Sequence, residues 1–336
     1  MKGVTPKGVT PKERIVSGMR PTGRLHLGHY HGVLKNWLKL QDQYDCLFFI
    51  ADWHGLTTEY SSPEGLRQSR REILADWLAV GLDPKKATIF VQSDVKEHAE
   101  LHLLLSMITP VPWLERVPSY KEMQQELTTK DLSTYGFLGY PLLQTADIIL
   151  YNAGKVPVGI DQVPHIELAR EVVRRFNHLY GETFVEPKPL LTEAPKLLGM
   201  DRRKMSKSYD NCLYLSDDAG TIEKKVMSAV TDPARMRRED PGNPDICLIF
   251  DYHKLHSPKD VVEKVDAECR QAKIGCVEDK KRMVATINQF LDPIRRKREE
   301  VLKQGSRLDE MVDEGAKKAR ALAQNTMEKV RKAMKV

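Results

Sequence analysis

Two histidines three residues apart, His26 and His29, close the run Ser17-Gly-Met-Arg-Pro-Thr-Gly-Arg-Leu-His-Leu-Gly-His29. At i and i+3 of a helix they share one face, so both imidazoles can donate hydrogen bonds to one anion. Gly18 and Gly23 permit tight backbone geometry ahead of that helix, and Gly28 leaves its start open to close approach. The unpaired N–H groups and positive dipole at a helix start add to the attraction for a phosphate. Downstream, Lys204-Met-Ser-Lys-Ser208 follows Arg202 and Arg203 in a polar stretch. Lysines are mobile point charges, suited to a polyphosphate whose charge redistributes as a bond breaks. Either run alone reads as solvated surface; the two in one chain make chance a poor explanation and point to chemistry on a polyphosphate.

The surrounding pattern predicts what holds these residues. Arg14–Ser17 is a short β-like run, followed by a loop over 18–23 and a helical segment over 25–40. Residues 46–51 form a second buried strand; Leu66, Ile73, Leu74, Trp77 and Leu78 recur at helical spacing; residues 88–91 give a third strand. This alternation predicts an α/β domain with a doubly wound parallel sheet and a ligand site at the carboxyl ends of its strands. Residues 99–107, 144–151 and 163–176 then carry helical apolar spacing. So does the end of the chain, where Ala319, Leu322, Ala323, Met327, Val330 and Met334 form one stripe. Lys317, Lys318, Arg320, Lys329, Arg331 and Lys332 lie largely off it and read as a solvated face. Residues 1–12, with KGVTP twice in tandem, read as a flexible extension.

The 336 residues are enough for about two domains. With 53 basic and 47 acidic side chains, the net charge of +6 is too small to announce a nucleic-acid binder. Residues 1–200 carry 23 of each sign, however, so the whole excess lies in 201–336. No run approaches the roughly 18 apolar residues of a membrane helix, and no apolar stretch resembles a secretory signal, so a cytoplasmic location is expected. Five cysteines (Cys46, Cys212, Cys247, Cys269, Cys276) are too few and too spread for a disulfide framework.

HLGH with KMSKS resembles the signature pair of the class I aminoacyl-tRNA synthetases. The stretches SGMRPTGRLHLGHYHG, YPLLQTADIILYNAGKVPVGIDQVPHIELAREVVRRFN and KMSKSYDN are similar to the bacterial tryptophanyl branch of that family, in the same order and from residue 14 onward. The resemblance implies a Rossmann-like catalytic domain over 13–210 with a helical insertion. It also implies an all-helical tRNA (anticodon)-binding domain over 211–336, ATP with Mg²⁺, L-tryptophan and tRNA(Trp) as partners, and a homodimer. His26, His29, Lys204 and Lys207 would be catalytic. Arg20, Pro21, Thr22 and Gly28 would line the ATP phosphates, with Met205, Ser206 and Ser208 in the second signature loop. Gly159, Ile160 and Asp161 would hold the adenosine, with Leu197 against adenine. Asp147 would accept the indole N–H, Tyr140 and Gln162 would address the α-amino group, and Gln144 and Ile148 would flank the ring.

Elementary chemistry leaves other roles open. Asp147, among apolar neighbours, could instead sit in a structural salt bridge. Asp161 could cap the helix over 163–176, and Tyr140 could be core. Gln144 departs from the family, where many bacterial members look apolar. Some members carry four cysteines spaced for an iron–sulfur cluster; here Asp279 stands where the fourth thiolate would follow Cys247, Cys269 and Cys276. The three cysteines are therefore weak iron–sulfur candidates, and the favoured reading is that the protein holds no cluster. A tyrosyl-tRNA synthetase and a catalytically silent tRNA-binding paralogue are the rival readings.

Overall fold

The computed structural model describes residues 12–126, 131–192 and 197–336; the KGVTP repeats lie outside them. The elements run β1 (Arg14–Met19), α1 (Leu27–His29), a π-helical turn (Tyr30–Leu34), α2 (Lys35–Gln43), β2 (Asp45–Ile50), α3 (Asp52–Glu59), α4 (Gly65–Val80) and β3 (Ala87–Val91). The helices α5 (Glu97–Ser106), α6 (Val111–Glu115), α7 (Pro118–Glu126) and α8 (Tyr135–Ile149) follow, then β4 (Lys155–Val158), α9 (Val163–Tyr180) and β5 (Lys188–Leu191). The chain ends in α10 (Ala219–Met227), α11 (Leu248–His256), α12 (Lys259–Arg270), α13 (Cys276–Leu302) and α14 (Ser306–Met334).

The five strands form one sheet of order β3-β2-β1-β4-β5, and all pairs are parallel. Side chains alternate along each strand, so Ile15, Cys46, Phe48 and Ile89 enter one core while Val16, Leu47, Phe49 and Phe90 enter the other. The first core is closed by α2, α4, α11 and α13, with Trp37 stacked on Phe48 at 4.2 Å between ring centroids. The second is closed by α5, α8, α9 and the apolar stripe of α14.

Several elements differ from the sequence pattern for local reasons. Leu25 does not join the first helix, because its carbonyl accepts from Leu215 N–H at 2.9 Å. α8 begins at Tyr135, where Thr134 caps Phe137 N–H, and runs through Pro141, whose presence hides this start in the sequence. β4 and β5, not anticipated, are four residues each and contain Pro157 and Pro189, residues uncommon inside sheets. The 211–336 segment is helical as expected, but α13 packs on α4 and α14 lies on β3. Gly315 makes the latter contact possible: a Cβ there would stand 1.8 Å from the Ile89 carbonyl oxygen. Arg320 and Arg331 pair with Glu97 and Glu100 of α5, while Lys317, Lys318, Lys329 and Lys332 are exposed.

Candidate active site

β1 has β2 on one side and β4 on the other, so the strand order reverses there and a crevice opens at the carboxyl ends of β1 and β4. A cavity of about 370 Å³ fills it. Ser17 and Gly18 of β1 and Arg20 just after it line the cavity, with Val158 of β4 and the following Gly159, and Tyr140, Gln144, Asp147 and Ile148 of α8. The crevice thus brings together Arg20, Tyr140, Gln144, Asp147, Ile148, Gly159 and Gln162 of the residues singled out from sequence.

Asp147 is 2% exposed and fully engaged. Its Oδ1 accepts from His98 Nδ1 at 2.7 Å and Gln92 Nε2 at 2.8 Å; its Oδ2 accepts from His54 Nε2 and Gln92 Nε2, each at 2.9 Å. Burial pushes its pKa up, but the His98 and His54 partners outweigh burial and hold the carboxyl below the usual carboxylate range. Asp147 is thus both held by a structural network and part of the cavity lining. No motif in the sequence singles out His54, Gln92 or His98. Their signal is positional, since His54 and Gln92 follow the carboxyl ends of β2 and β3, where sheets of this kind present functional groups.

Above Asp147, the Tyr140 hydroxyl shares a hydrogen bond of 2.9 Å with Ser119 Oγ, which is also 2.7 Å from His165 Nε2. Ser119 and His165, likewise not anticipated, border the cavity; burial lowers the His165 pKa to about 4. Arg20 donates to Thr58 Oγ1 at 2.5 Å, and Gln162 donates to Asp161 Oδ2 at 2.8 Å. Asp161 does not cap α9, whose N-cap is Gln162 with no side-chain hydrogen bond. Asp161 and Ile160 are exposed, and Leu197 is buried in the first core; none of the three lines the cavity.

The two signatures meet because the strand-like segment after KMSKS zips onto HLGH. Leu27 N–H donates to Leu213 O at 2.9 Å, and His26 bridges Tyr214. Gly28 N–H donates to His26 Nδ1 at 3.1 Å, and His26 N–H to His29 Nδ1 at 3.3 Å. Each Nδ1 is thus an acceptor, so the ring protons sit on Nε2. Burial lowers the His26 pKa to about 4 and that of His29 well below its ordinary value, keeping both rings neutral. The expectation of unpaired amides at this helix start is corrected, because the N–H groups of Leu27, Gly28 and His29 are taken by Leu213 O, His26 Nδ1 and His26 O. Side chains, not amides, offer donors here. The space that Gly28 leaves is used by the His26 ring itself, 2.9 Å from where a Cβ would stand.

Lys207 Nζ donates to Thr22 O at 2.6 Å and reaches Thr22 Oγ1 at 3.3 Å, so the second signature loop is latched to the Arg20-Pro21-Thr22 turn. Burial lowers the Lys207 pKa to about 8. Asn211, overlooked in the sequence, organises the loop by accepting from Ser206 N–H and donating to Asp201 and the Lys204 carbonyl. Met205 is buried, Lys204 is exposed, and the Ser208 side chain lies outside what the structure describes.

A family model described as tRNA synthetases class I (W and Y) matches residues 10–292. The chain belongs to this family. Among curated relatives, the tryptophan–tRNA ligase of Thermotoga maritima is 51% identical, covering 96% of this chain and 98% of its own. That of Aquifex aeolicus is 46% identical over 96% and 99%. A crystal structure of tryptophanyl-tRNA synthetase from Campylobacter jejuni, complexed with ADP and tryptophan, aligns with TM-score 0.88 at 34% identity over 96% of this chain and all of its own. Cys269 and Cys276 Sγ each lie 3.9 Å from Arg235 Nη1, and Asp279 accepts from His253 Nε2 at 3.1 Å. Among the described residues no group of three His, Cys, Asp or Glu side chains gathers to hold a metal, and no helix is long and apolar enough to cross a membrane.

Proposed function

We infer that the chain is a tryptophan–tRNA ligase, which activates L-tryptophan with ATP to tryptophanyl-adenylate, releases pyrophosphate and transfers the tryptophanyl group to tRNA(Trp). The observation that carries this reading is Asp147, a buried carboxylate held ionised beside an otherwise largely apolar cavity. An acceptor so placed selects a ring that carries N–H and rejects phenylalanine, whose binding would leave it unpaired. A phenol could also donate to it, but the relatives named tryptophan–tRNA ligase at 42–51% identity favour the indole.

The amino acid's own carboxylate attacks the α-phosphorus in line, so no enzyme nucleophile is needed; positioning and charge stabilisation do the work. In this reading Tyr140 and Gln162 receive the α-amino group, and Gly159, Ile160, Asp161 and Leu197 lie toward the adenosine. Arg20, Pro21, Thr22 and Gly28 line the phosphates. The Nε2–H groups of His26 and His29, with Lys204 and Lys207, stabilise charge as pyrophosphate leaves, and Met205, Ser206 and Ser208 shape the loop. ATP would carry Mg²⁺ on its own oxygens rather than in a cage of protein carboxylates, and the ion would supply neutralisation of phosphate charge.

We also propose a cytoplasmic homodimer in which 13–210 is the catalytic part and the basic 211–336 segment meets tRNA. Leu103, Met107 and Val111 are 55%, 67% and 50% exposed on consecutive helices, an apolar face suited to a second copy. Charging of a tRNA(Trp) transcript with labelled tryptophan tests the function, and failure to charge it under conditions where ATP binds would overturn the reading.

A further inference from the structure

The hydrogen bonds behind Asp147 have a fixed direction. Tyr151 is 1% exposed, and its hydroxyl lies 2.7 Å from Nε2 of His98, which is fully buried. That hydroxyl has no other hydrogen-bond partner among the described residues, so its hydrogen is satisfied only by pointing at Nε2, with Nε2 offering a lone pair. The His98 proton is then on Nδ1, aimed at Asp147 Oδ1. The opposite tautomer would set an N–H against the phenol hydrogen and a lone pair against the carboxylate. Gln92 is oriented in the same way: its Oε1 accepts from Trp53 N–H at 3.2 Å, so its amide nitrogen faces Asp147. Tyr151, His98 and Gln92 do not line the cavity; of the donors to Asp147, only His54 does.

We propose that Tyr151 and His98 are positioning residues for amino-acid specificity: the Tyr151 hydroxyl locks His98 in its Nδ1–H tautomer, and the locked imidazole fixes Asp147 as an ionised acceptor whose Oδ2 edge meets the ring N–H. This rests on the reading of Asp147 as that acceptor. A Phe at 151 fills the same space without the lock. His98 is then free to turn or to exchange tautomers, and the carboxylate is less well held.

The test compares pyrophosphate exchange with tryptophan and with L-3-benzothienylalanine, in which sulfur replaces the N–H at nearly the same shape. In Tyr151→Phe, kcat/KM for tryptophan over the analogue should fall about fivefold to tenfold, the worth of one buried hydrogen bond. The fall should come through the KM for tryptophan, with kcat and the analogue's KM nearly unchanged. An unchanged ratio, or an equal rise in both KM values, would overturn the proposal, since a merely structural role moves both substrates alike. Asp147→Asn separates the two readings: if it keeps wild-type discrimination, the acceptor role of Asp147 fails. If it loses discrimination while Tyr151→Phe keeps it, only the tautomer lock fails. The unmodified protein offers an independent check, because the ¹⁵N spectrum of His98 should show a proton on Nδ1 and none on Nε2, and a proton on Nε2 would contradict the lock.

Discussion

Replacing Lys207 with Ala probes the joint between the two signatures. Lys207 Nζ hangs on the Thr22 carbonyl at 2.6 Å, beside Arg20 and the turn leading to His26 and His29. A unit charge about 4 Å from a phosphate charge is worth about 4 kcal/mol at an effective dielectric of about 20. Part of that attraction already exists in bound ATP, and losing a comparable oxyanion donor costs about 10²–10³ in rate. Pyrophosphate exchange should therefore fall by about two to three orders of magnitude. The KM for tryptophan should stay near the wild-type value, because Lys207 does not line the amino-acid cavity. The same residue sets a pH limit. Burial lowers its pKa to about 8, so the charged form that meets ATP is present below this value and lost as pH rises through it. kcat/KM for ATP, which reports groups of the free enzyme, should decline above about pH 8 in wild type. That alkaline limb should vanish in Lys207→Ala. Near-normal exchange, or an unaltered limb, would refute the reasoning.

Three further outcomes follow from packing and burial. Arg298 of α13 donates to Asp76 Oδ1 at 2.7 Å and also to Glu72, while the other oxygen of Asp76 holds Leu25 N–H at 2.8 Å next to His26. Arg298→Met should cost about 3–5 kcal/mol in urea unfolding by stranding the buried Asp76; adding Asp76→Leu should recover only part of it, because Leu25 N–H then loses its acceptor at a cost of about 1–3 kcal/mol. Gly315→Ala should cost about 1–3 kcal/mol or more and loosen α14 from β3, seen as faster amide exchange in both. Burial depresses the folded-state pKa values of His26, His31 and His165 to about 4 and that of His256 to about 3, against about 6.5 when unfolded. The unfolded chain therefore binds more protons between about pH 6.5 and 4. Stability measured by urea should be fully present above this window and fall as pH drops through it, by up to about 1.4 kcal/mol per pH unit for each such histidine.

The parts legible in the sequence are those carried by short-range pattern. The first three strands, α4 and the stripe of α14 follow from apolar spacing, and HLGH and KMSKS from residue type. What escaped depends on distant partners. Leu25 looks helical until Leu215 is placed beside it, and the amides of the first signature look free until Leu213 and His26 take them. β4 and β5 are too short and proline-broken to stand out, although β4 forms one wall of the cavity. Asp147 is recognisable as a costly buried carboxylate, but its partners come from α3, from the residue after β3 and from α5, 49 to 93 residues away in the chain. A single sequence cannot supply such pairings.

Amino-acid-dependent pyrophosphate exchange, run with each of the twenty amino acids, tests the central claim most directly. Exchange driven by tryptophan is the expected result, with phenylalanine lower by orders of magnitude because it would leave the buried Asp147 unpaired, and tyrosine lower as the likeness to tryptophan–tRNA ligases implies. Exchange supported equally well by tyrosine, or by no amino acid at all, would contradict it.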